Sequence, residues 1–251
     1  MMRIKYIFLA FLLIVPLLYS NAAIAGANSD LVEAAKAGDR AKIEELLTGG
    51  ADVNGKDKVG WTALIQAAGE GHSDLFGLLL SKGADVNLQN EIGITALMMA
   101  AGEGHTAIVG VLIGRGADMS AKTNMGVTAL WKAAYKGHSE VATILVDMGA
   151  DVNVKDASET TALMLAAEAG YTEIALMLID RGADVNAKDT LFWKSALAHA
   201  ASHNHVEIVK RLIDKGADVN AKDRFGATVL QYATSSGRTD VVELLKAAGA
   251  K

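Results

Sequence analysis

A repeat with a period of about 33 residues constrains this chain more than any other feature of its sequence. Two short sequence motifs mark the repeat. Each recurs at steps of 33 residues except for one step of 34, and both show the same one-residue insertion between Gly182 and Ser195. The first marker, Gly-Ala-Asp-(Val/Met)-(Asn/Ser), begins at Gly50, Gly83, Gly116, Gly149, Gly182 and Gly216. The second, Thr-Ala-Leu, Ser-Ala-Leu or Thr-Val-Leu, begins at Thr62, Thr95, Thr128, Thr161, Ser195 and Thr228. This regularity predicts a linear array of small supersecondary units.

Each unit is predicted to contain two short helices and a projecting loop. The Thr62 hydroxyl is suited to capping a first helix, because it can accept a hydrogen bond from an unpaired N–H of the first turn. Apolar residues then recur at helical spacing up to Gly71, where glycine permits the left-handed backbone that ends a helix. A second helix runs from His72 to Gly83, and the connector to Thr95 is rich in Asp, Asn and Gly, which favours a hairpin-like finger. Such short helices are unstable alone in water, so each unit depends on stacking against its neighbours.

The repeat divides residues 29–251 into seven units. The first has a more polar outer side and is predicted to be an N-terminal cap. The last is predicted to be a C-terminal cap, since Lys246 stands where earlier units have Ile or Val. The units are 29–61, 62–94, 95–127, 128–160, 161–194, 195–227 and 228–251. We expect one repeat domain that acts as a monomer.

The pattern resembles the ankyrin repeat over essentially all of residues 29–251. The segment Asp223-Arg-Phe-Gly-Ala-Thr-Val-Leu followed by Gly237, and the repeated Gly-Ala-Asp-Val-Asn, carry the resemblance. It implies an all-α ankyrin-repeat solenoid of stacked helix-turn-helix units with projecting β-hairpin-like fingers. It also implies a concave groove lined by first helices and fingers, recognition of a protein, and no catalytic residues. We therefore expect a scaffold that docks a protein partner in this concave groove.

The sequence departs from the family pattern in three places. The family's histidine after Thr-Pro-Leu is replaced by apolar residues, so we expect apolar packing there; these residues are Ile65, Met98, Trp131 and Met164. One finger has Glu159 where four others have glycine, and the next finger, 190–194, is one residue longer. We expect both of these fingers to differ in shape from the rest.

The first 25 residues have the layout of a secretory signal peptide. A short basic start with Arg3 and Lys5 precedes the apolar run 6–18, and Ala23 and Ala25 are small residues at the positions that a signal peptidase reads. The alternative is an uncleaved membrane anchor, but the apolar run is shorter than the roughly 20 residues that span a bilayer. We therefore expect a periplasmic or secreted protein with no membrane segment after cleavage, and a linker at 26–28.

Composition and charge argue against several other functions. The chain has no cysteine, which excludes disulfides and thiolate metal sites. The formal net charge is -5, and no basic stripe is present that could neutralise nucleic-acid phosphates. The threonines that begin the units recur at one position, which indicates a structural role and not that of a nucleophile. We therefore expect neither an enzyme nor a bound cofactor.

The fingers carry the strongest functional signal. Loops usually expose their side chains, and large apolar side chains are favoured at protein interfaces. The alternative is that some of these side chains pack finger against finger. With the ends of the first helices, the candidate partner-binding residues are Val59, Trp61, Ile92, Ile94, Met125, Val127, Tyr135, Lys136, Leu191, Phe192, Trp193 and Phe225.

Three histidines suggest a second hypothesis, a carrier of a metal or cofactor. His199 and His203 are four residues apart on a predicted helix and could face the same side. His205 stands where other units have His72, His105 and His138, which indicates a structural role. No carboxylate lies near them in sequence to complete a site, so no metal site is assigned.

Overall fold

The computed structural model describes residues 26–251, and every regular element within that range is a helix. The signal peptide predicted over residues 1–25 lies outside the described residues. Helix α1 covers residues 26–37, so residues 26–28, expected as a linker, are helical. The others are α2 (Arg40–Thr48), α3 (Ala63–Glu70), α4 (Ser73–Ser81), α5 (Ala96–Gly102), α6 (Thr106–Gly114), α7 (Ala129–Lys136), α8 (Ser139–Asp147), α9 (Ala162–Ala169), α10 (Thr172–Asp180), α11 (Ala196–Ser202), α12 (Val206–Asp214), α13 (Val229–Ser235) and α14 (Thr239–Ala247).

The helices fall into two compact bodies, an N-terminal body that ends at Ala96 and a C-terminal body over Leu97–Lys251. In the C-terminal body, the first helices α7, α9, α11 and α13 pack side by side. The second helices α8, α10, α12 and α14 form a second row, and each packs on the first helix of its own unit. In the N-terminal body, α3 and α4 form the same kind of pair. This stacking of consecutive helix pairs confirms the predicted fold class.

Local sequence signals determine where the first helices begin and end. The Thr62 hydroxyl accepts a hydrogen bond from the Ile65 N–H at 3.3 Å, and Gly71 ends α3 with φ of 74°. In the C-terminal body the same N-cap bond is made by Thr128, Thr161, Ser195 and Thr228. The capping predictions are therefore confirmed.

Apolar side chains occupy the position at which the family pattern has histidine. Ile65, Met98 and Met164 are each only 1% exposed, and Trp131 is half-buried. Burying an apolar side chain of this size stabilises the folded state by roughly 1.5–3 kcal/mol. The expected apolar packing is confirmed.

An aromatic ring at the start of each of four second helices covers a glycine of the preceding unit. The His205 Nε2 atom lies 3.1 Å from the carbonyl oxygen of Glu168, and a Cβ on Gly170 would come within 2.3 Å of the ring. Only glycine leaves room for a ring so close. The equivalent pairs are Gly38 with His72, Gly104 with His138 and Gly137 with Tyr171.

Asparagine side chains form a second set of bridges between units. The Asn153 Nδ2 donates to the carbonyl oxygen of Gly182 at 3.3 Å, and its Oδ1 accepts from the Asp184 N–H at 2.7 Å. One carboxamide thus satisfies a backbone acceptor and a backbone donor of the following unit. Asn54, Asn186 and Asn220 make the same pair of bonds.

The fingers are hairpin-like, as predicted, and four of them close with an isolated antiparallel bridge, as between Lys155 and Thr161. The expectation that the Glu159 finger differs in shape is wrong. Glu159 adopts φ of 59°, the left-handed conformation of the glycines it replaces, and the Asp156 N–H still bonds to the Thr160 carbonyl at 3.1 Å. Left-handed backbone costs a non-glycine residue only about 1–2 kcal/mol, which the hydrogen bonds around Asp156 offset.

The finger over residues 190–194 does differ, as expected. Its closing bond joins the Asp189 N–H to the Lys194 carbonyl at 3.1 Å, which encloses one residue more than in the other fingers. The extra length places Trp193 in the left-handed region, with φ of 61°.

Candidate functional site

One polar side chain at the base of each finger holds the apolar residues at its tip. The Asp223 carboxylate accepts hydrogen bonds from the N–H groups of Phe225 and Ala227, both at 2.8 Å. The Asp189 carboxylate holds the longer finger through the N–H groups of Phe192 at 2.7 Å and Trp193 at 3.1 Å. Asp57, Asn90, Thr123 and Asp156 have the same role in other fingers. The backbone is thereby fixed, and the side chains at the tip project from a rigid loop.

Most of the candidate partner-binding residues are exposed. In the N-terminal body, Val59 and Ile92 are exposed at finger tips, whereas Trp61 and Ile94 are half-buried. In the C-terminal body, Val127 is half-buried, and the exposed members are Met125, Tyr135, Lys136, Leu191, Phe192, Trp193 and Phe225. The most exposed is Phe225, at 77%. The predicted set thus divides into two groups. The exposed residues lie at finger tips or at the end of α7, and the half-buried residues lie at the bases of the fingers.

Neighbouring fingers do pack on one another, but they do so through backbone hydrogen bonds and not through the apolar side chains at their tips. The Arg224 N–H bonds to the Phe192 carbonyl at 3.0 Å, and the Thr190 N–H bonds to the Ser158 carbonyl at 2.9 Å. Similarly, the Ala157 N–H bonds to the Met125 carbonyl at 2.8 Å. These bonds align neighbouring fingers while their tip side chains stay exposed.

Two fingers of the C-terminal body together form an apolar surface with two cations. We call it the finger patch; it consists of Leu191, Phe192, Trp193, Lys194, Arg224 and Phe225. The Lys194 ammonium lies 4.4 Å from the centre of the Tyr232 ring, and the Arg224 guanidinium lies 6.0 Å from that of Trp193. Arg224 also donates to the Leu191 carbonyl at 2.7 Å, which joins the two fingers. Cations over aromatic faces are held in place while their charge stays available.

The carboxylates beneath the finger patch are bonded to inward-facing groups. The Tyr232 hydroxyl donates to the Asp223 carboxylate at 2.5 Å. Burial and this bond raise the pKa of Tyr232 to about 12, and the same bond lowers the pKa of Asp223. Asp189 is buried and meets the His199 ring at 3.3 Å. The outer surface of the patch is therefore apolar and cationic.

Sequence reasoning did not find Lys194, Arg224 or Tyr232 as parts of this surface. Lys194 and Arg224 flank the apolar tips in sequence, so comparing the two fingers residue by residue could have identified them. Tyr232 could not be found this way, because it lies on α13 and reaches the finger only through the stacking of units.

A second exposed group lies on α7. The rings of Trp131 and Tyr135 stack with their centres 5.2 Å apart, one helical turn from each other. Tyr135 and Lys136 are exposed at the end of the helix. The two predicted residues of this helix are thus accessible, with Trp131 supporting the Tyr135 ring.

The three histidines do not converge on one point. His199 Nε2 faces Asp189, His203 Nδ1 lies 3.0 Å from the carbonyl oxygen of His199, and His205 Nε2 lies 3.1 Å from that of Glu168. No group of three His, Asp or Glu side chains within residues 26–251 is arranged to hold a metal ion. The structural role predicted for His205 is confirmed.

No carboxylate was expected near enough in sequence to finish a site, but the fold brings two carboxylates close to His199 in space. His199 Nδ1 lies 3.8 Å from the Glu168 carboxylate, and Asp189 is on the other side of the ring. Burial lowers the pKa of His199, and the two carboxylates oppose that shift. The pair with Asp189 anchors the longer finger to α11, since the same carboxylate holds Phe192 and Trp193.

None of the helices described over residues 26–251 has the length and apolar character needed to cross a membrane.

Two family models match the chain. The one described as "Ankyrin repeats (3 copies)" matches residues 31–123 and 111–189. The one described as "Ankyrin repeats (many copies)" matches residues 197–245. These matches extend over most of the chain. No curated protein compared with the chain gives a match.

Proposed function

The chain belongs to the ankyrin-repeat family, and from this premise we propose that it is an exported scaffold that binds a protein partner through its finger patch. Proteins with these repeats are general scaffolds for protein–protein interaction and typically have no enzymatic activity. The role proposed for this chain is accordingly binding and not catalysis.

The observation that carries the proposal is the finger patch itself. Four large apolar side chains, Leu191, Phe192, Trp193 and Phe225, are exposed on two rigid loops. Exposing such side chains to water is unfavourable, and rigid aromatic side chains lose little entropy when a partner covers them. Lys194 and Arg224 add positive charge at the same place, so the patch suits a partner surface that combines apolar side chains with carboxylates.

The test is to remove two aromatic anchors without unfolding the scaffold. In a Trp193→Ala, Phe225→Ala double variant, capture of partners from an extract of the source cells is expected to fall at least tenfold. A Met148→Ala variant is the matched control, because Met148 is also exposed but lies at the end of α8. Mass spectrometry would identify the captured proteins. Full capture by the folded double variant would reject the finger patch as the docking site.

Export is proposed from residues 1–25. If the segment acts as a signal peptide, the protein expressed in a bacterium should appear in the periplasmic fraction with Gly26 as its first residue. Mass measurement of the intact protein distinguishes this from an uncleaved anchor. Cytoplasmic protein that retains residues 1–25 would contradict the proposal.

We propose that the protein acts as a monomer. The measurement is light scattering after size-exclusion chromatography, and a dimer mass at micromolar concentration would contradict it.

A further inference from the structure

The asparagine bridges show which chemical group fits at a junction between two units. At three junctions of the C-terminal body, one carboxamide edge donates to a glycine carbonyl and accepts from the N–H two residues later; the asparagines are Asn153, Asn186 and Asn220. A primary carboxamide fits because its N–H and its oxygen point the same way from one edge. A trans peptide group has these atoms on opposite sides, and a carboxylate has no donor for the carbonyl.

One junction of this body has serine in place of asparagine. Ser120 stands at the fifth position of its Gly-Ala-Asp-Met-Ser segment, and its side chain is too short to reach the next unit. Its hydroxyl donates instead to the Asp118 carboxylate at 2.6 Å. Within residues 26–251, no protein group bonds to the Gly149 carbonyl or to the Asp151 N–H, the two atoms that an asparagine would bridge.

The backbone at this junction keeps the conformation of the bridged ones. Gly149 has φ of 96° and the Ala150 N–H bonds to the Leu145 carbonyl at 2.9 Å. At the bridged junction, Gly182 has φ of 85° and the Ala183 N–H bonds to the Leu178 carbonyl at 3.0 Å. The Gly149 carbonyl and the Asp151 N–H therefore have the same orientation as the corresponding groups at the junctions that asparagine bridges.

A cleft of about 480 Å³ lies at this junction. Ser120, Gly149 and Asp151 line it, together with the apolar side chains of Met119, Leu130 and Val154. The polar atoms of the junction and an apolar wall thus face the same space. An occupant that satisfies both has a carboxamide at the end of an aliphatic stem.

We propose that this cleft binds the carboxamide side chain of a glutamine in a polypeptide partner. The carboxamide takes the place that asparagine has at the other junctions, with its N–H on the Gly149 carbonyl and its oxygen on the Asp151 N–H. The aliphatic stem lies against Met119 and Val154, and the polypeptide passes over the mouth of the cleft. This site is independent of the finger patch and does not rest on it.

The test is a titration of the isotope-labelled protein with N-acetyl-glutamine N-methylamide, followed by the NMR signals of the Gly149 and Asp151 N–H groups. We expect saturable shifts with a dissociation constant of about 1–10 mM, the range for a ligand of this size. The glutamate analogue, which has no donor, should cause no saturable shift at neutral pH. Acetamide, which lacks the stem, should bind at least tenfold more weakly. Saturable binding of the glutamate analogue, or acetamide binding as tightly as the glutamine probe, would overturn the proposal.

Two variants make the test specific. Ser120→Asn supplies the carboxamide from within the chain, so it should abolish the shifts while raising the melting temperature. Asn153→Ser should create a second site, with new shifts at Gly182 and Asp184. Absence of saturable shifts in the natural protein, or their persistence in Ser120→Asn, would overturn the proposal.

Discussion

Replacing Gly170 with alanine tests the contact in which a ring of one unit covers a glycine of the preceding unit. The added Cβ would lie 2.3 Å from His205 Cε1, far inside van der Waals contact. The ring would have to move, and its hydrogen bond to the Glu168 carbonyl would be lost. Gly237 is the matched control, because it has the equivalent position and φ of 66°, but a Cβ there would meet nothing within 4 Å.

Both substitutions place alanine in left-handed backbone, but only Gly170→Ala also displaces an aromatic ring. Left-handed backbone costs alanine about 1 kcal/mol at either position. At Gly170, the lost hydrogen bond adds about 1 kcal/mol, and disturbed packing of the ring adds about 1 kcal/mol more. We therefore expect Gly170→Ala to lower the free energy of unfolding by about 2–4 kcal/mol, and Gly237→Ala by about 1 kcal/mol.

Urea denaturation followed by circular dichroism measures both values. A double-mutant cycle then assigns the difference to the ring: in a His205→Ala background, Gly170→Ala should cost only about 1 kcal/mol, the backbone contribution alone. Equal losses at Gly170 and Gly237 would refute the reasoning. So would a Gly170→Ala cost that is unchanged when the His205 ring is absent.

Three further predictions follow from single side chains. Asn153→Ser should lower the free energy of unfolding by about 1–2 kcal/mol, since two hydrogen bonds between units are lost; an unchanged urea midpoint would contradict this. Tyr232 should titrate at about pH 12 in the folded protein, against about 10 when unfolded. Its contribution to stability is therefore complete below pH 10 and lost as the pH rises to 12. An ultraviolet titration of tyrosinate should show a late step that Tyr232→Phe removes, and a natural protein without that step would refute the prediction. For His199, burial lowers the pKa, so its contribution is complete above its unfolded pKa of about 6.5 and is lost as the pH falls below it. His199→Gln should flatten the pH dependence of unfolding in that range, and identical slopes would count against this.

The fold could be predicted because its signals are local and repeated. Thr62 caps α3 and Gly71 ends it through the conformational preferences of single residues, and the same residue types recur at the same positions. The burial of Ile65 and Met98 also followed from their position within the unit. Because the period changes by one residue at a single place only, each such signal is observed several times independently along the chain.

The parts of the site that sequence reasoning missed depend on contacts between distant residues. Asp189 lies ten residues before His199, and the finger folds back so that the two side chains meet. Tyr232 reaches Lys194 from α13, which belongs to the unit after next. Glu159 was misjudged for a different reason: the preference for glycine at φ above zero is weaker than the hydrogen bonds that hold the loop.

The covering of a glycine by the ring of the following unit has a consequence for how such an array can grow by gene duplication. A unit such as 128–160 carries both halves of the contact, with His138 reaching back and Gly137 receiving Tyr171 from the next unit. A duplicated copy would therefore fit before or after its parent without further mutation. The last junction does not have this contact. Asn204 stands there in place of the glycine, and Arg238 stands in place of the aromatic residue. Transplanting a unit across that junction would require both residues to change together.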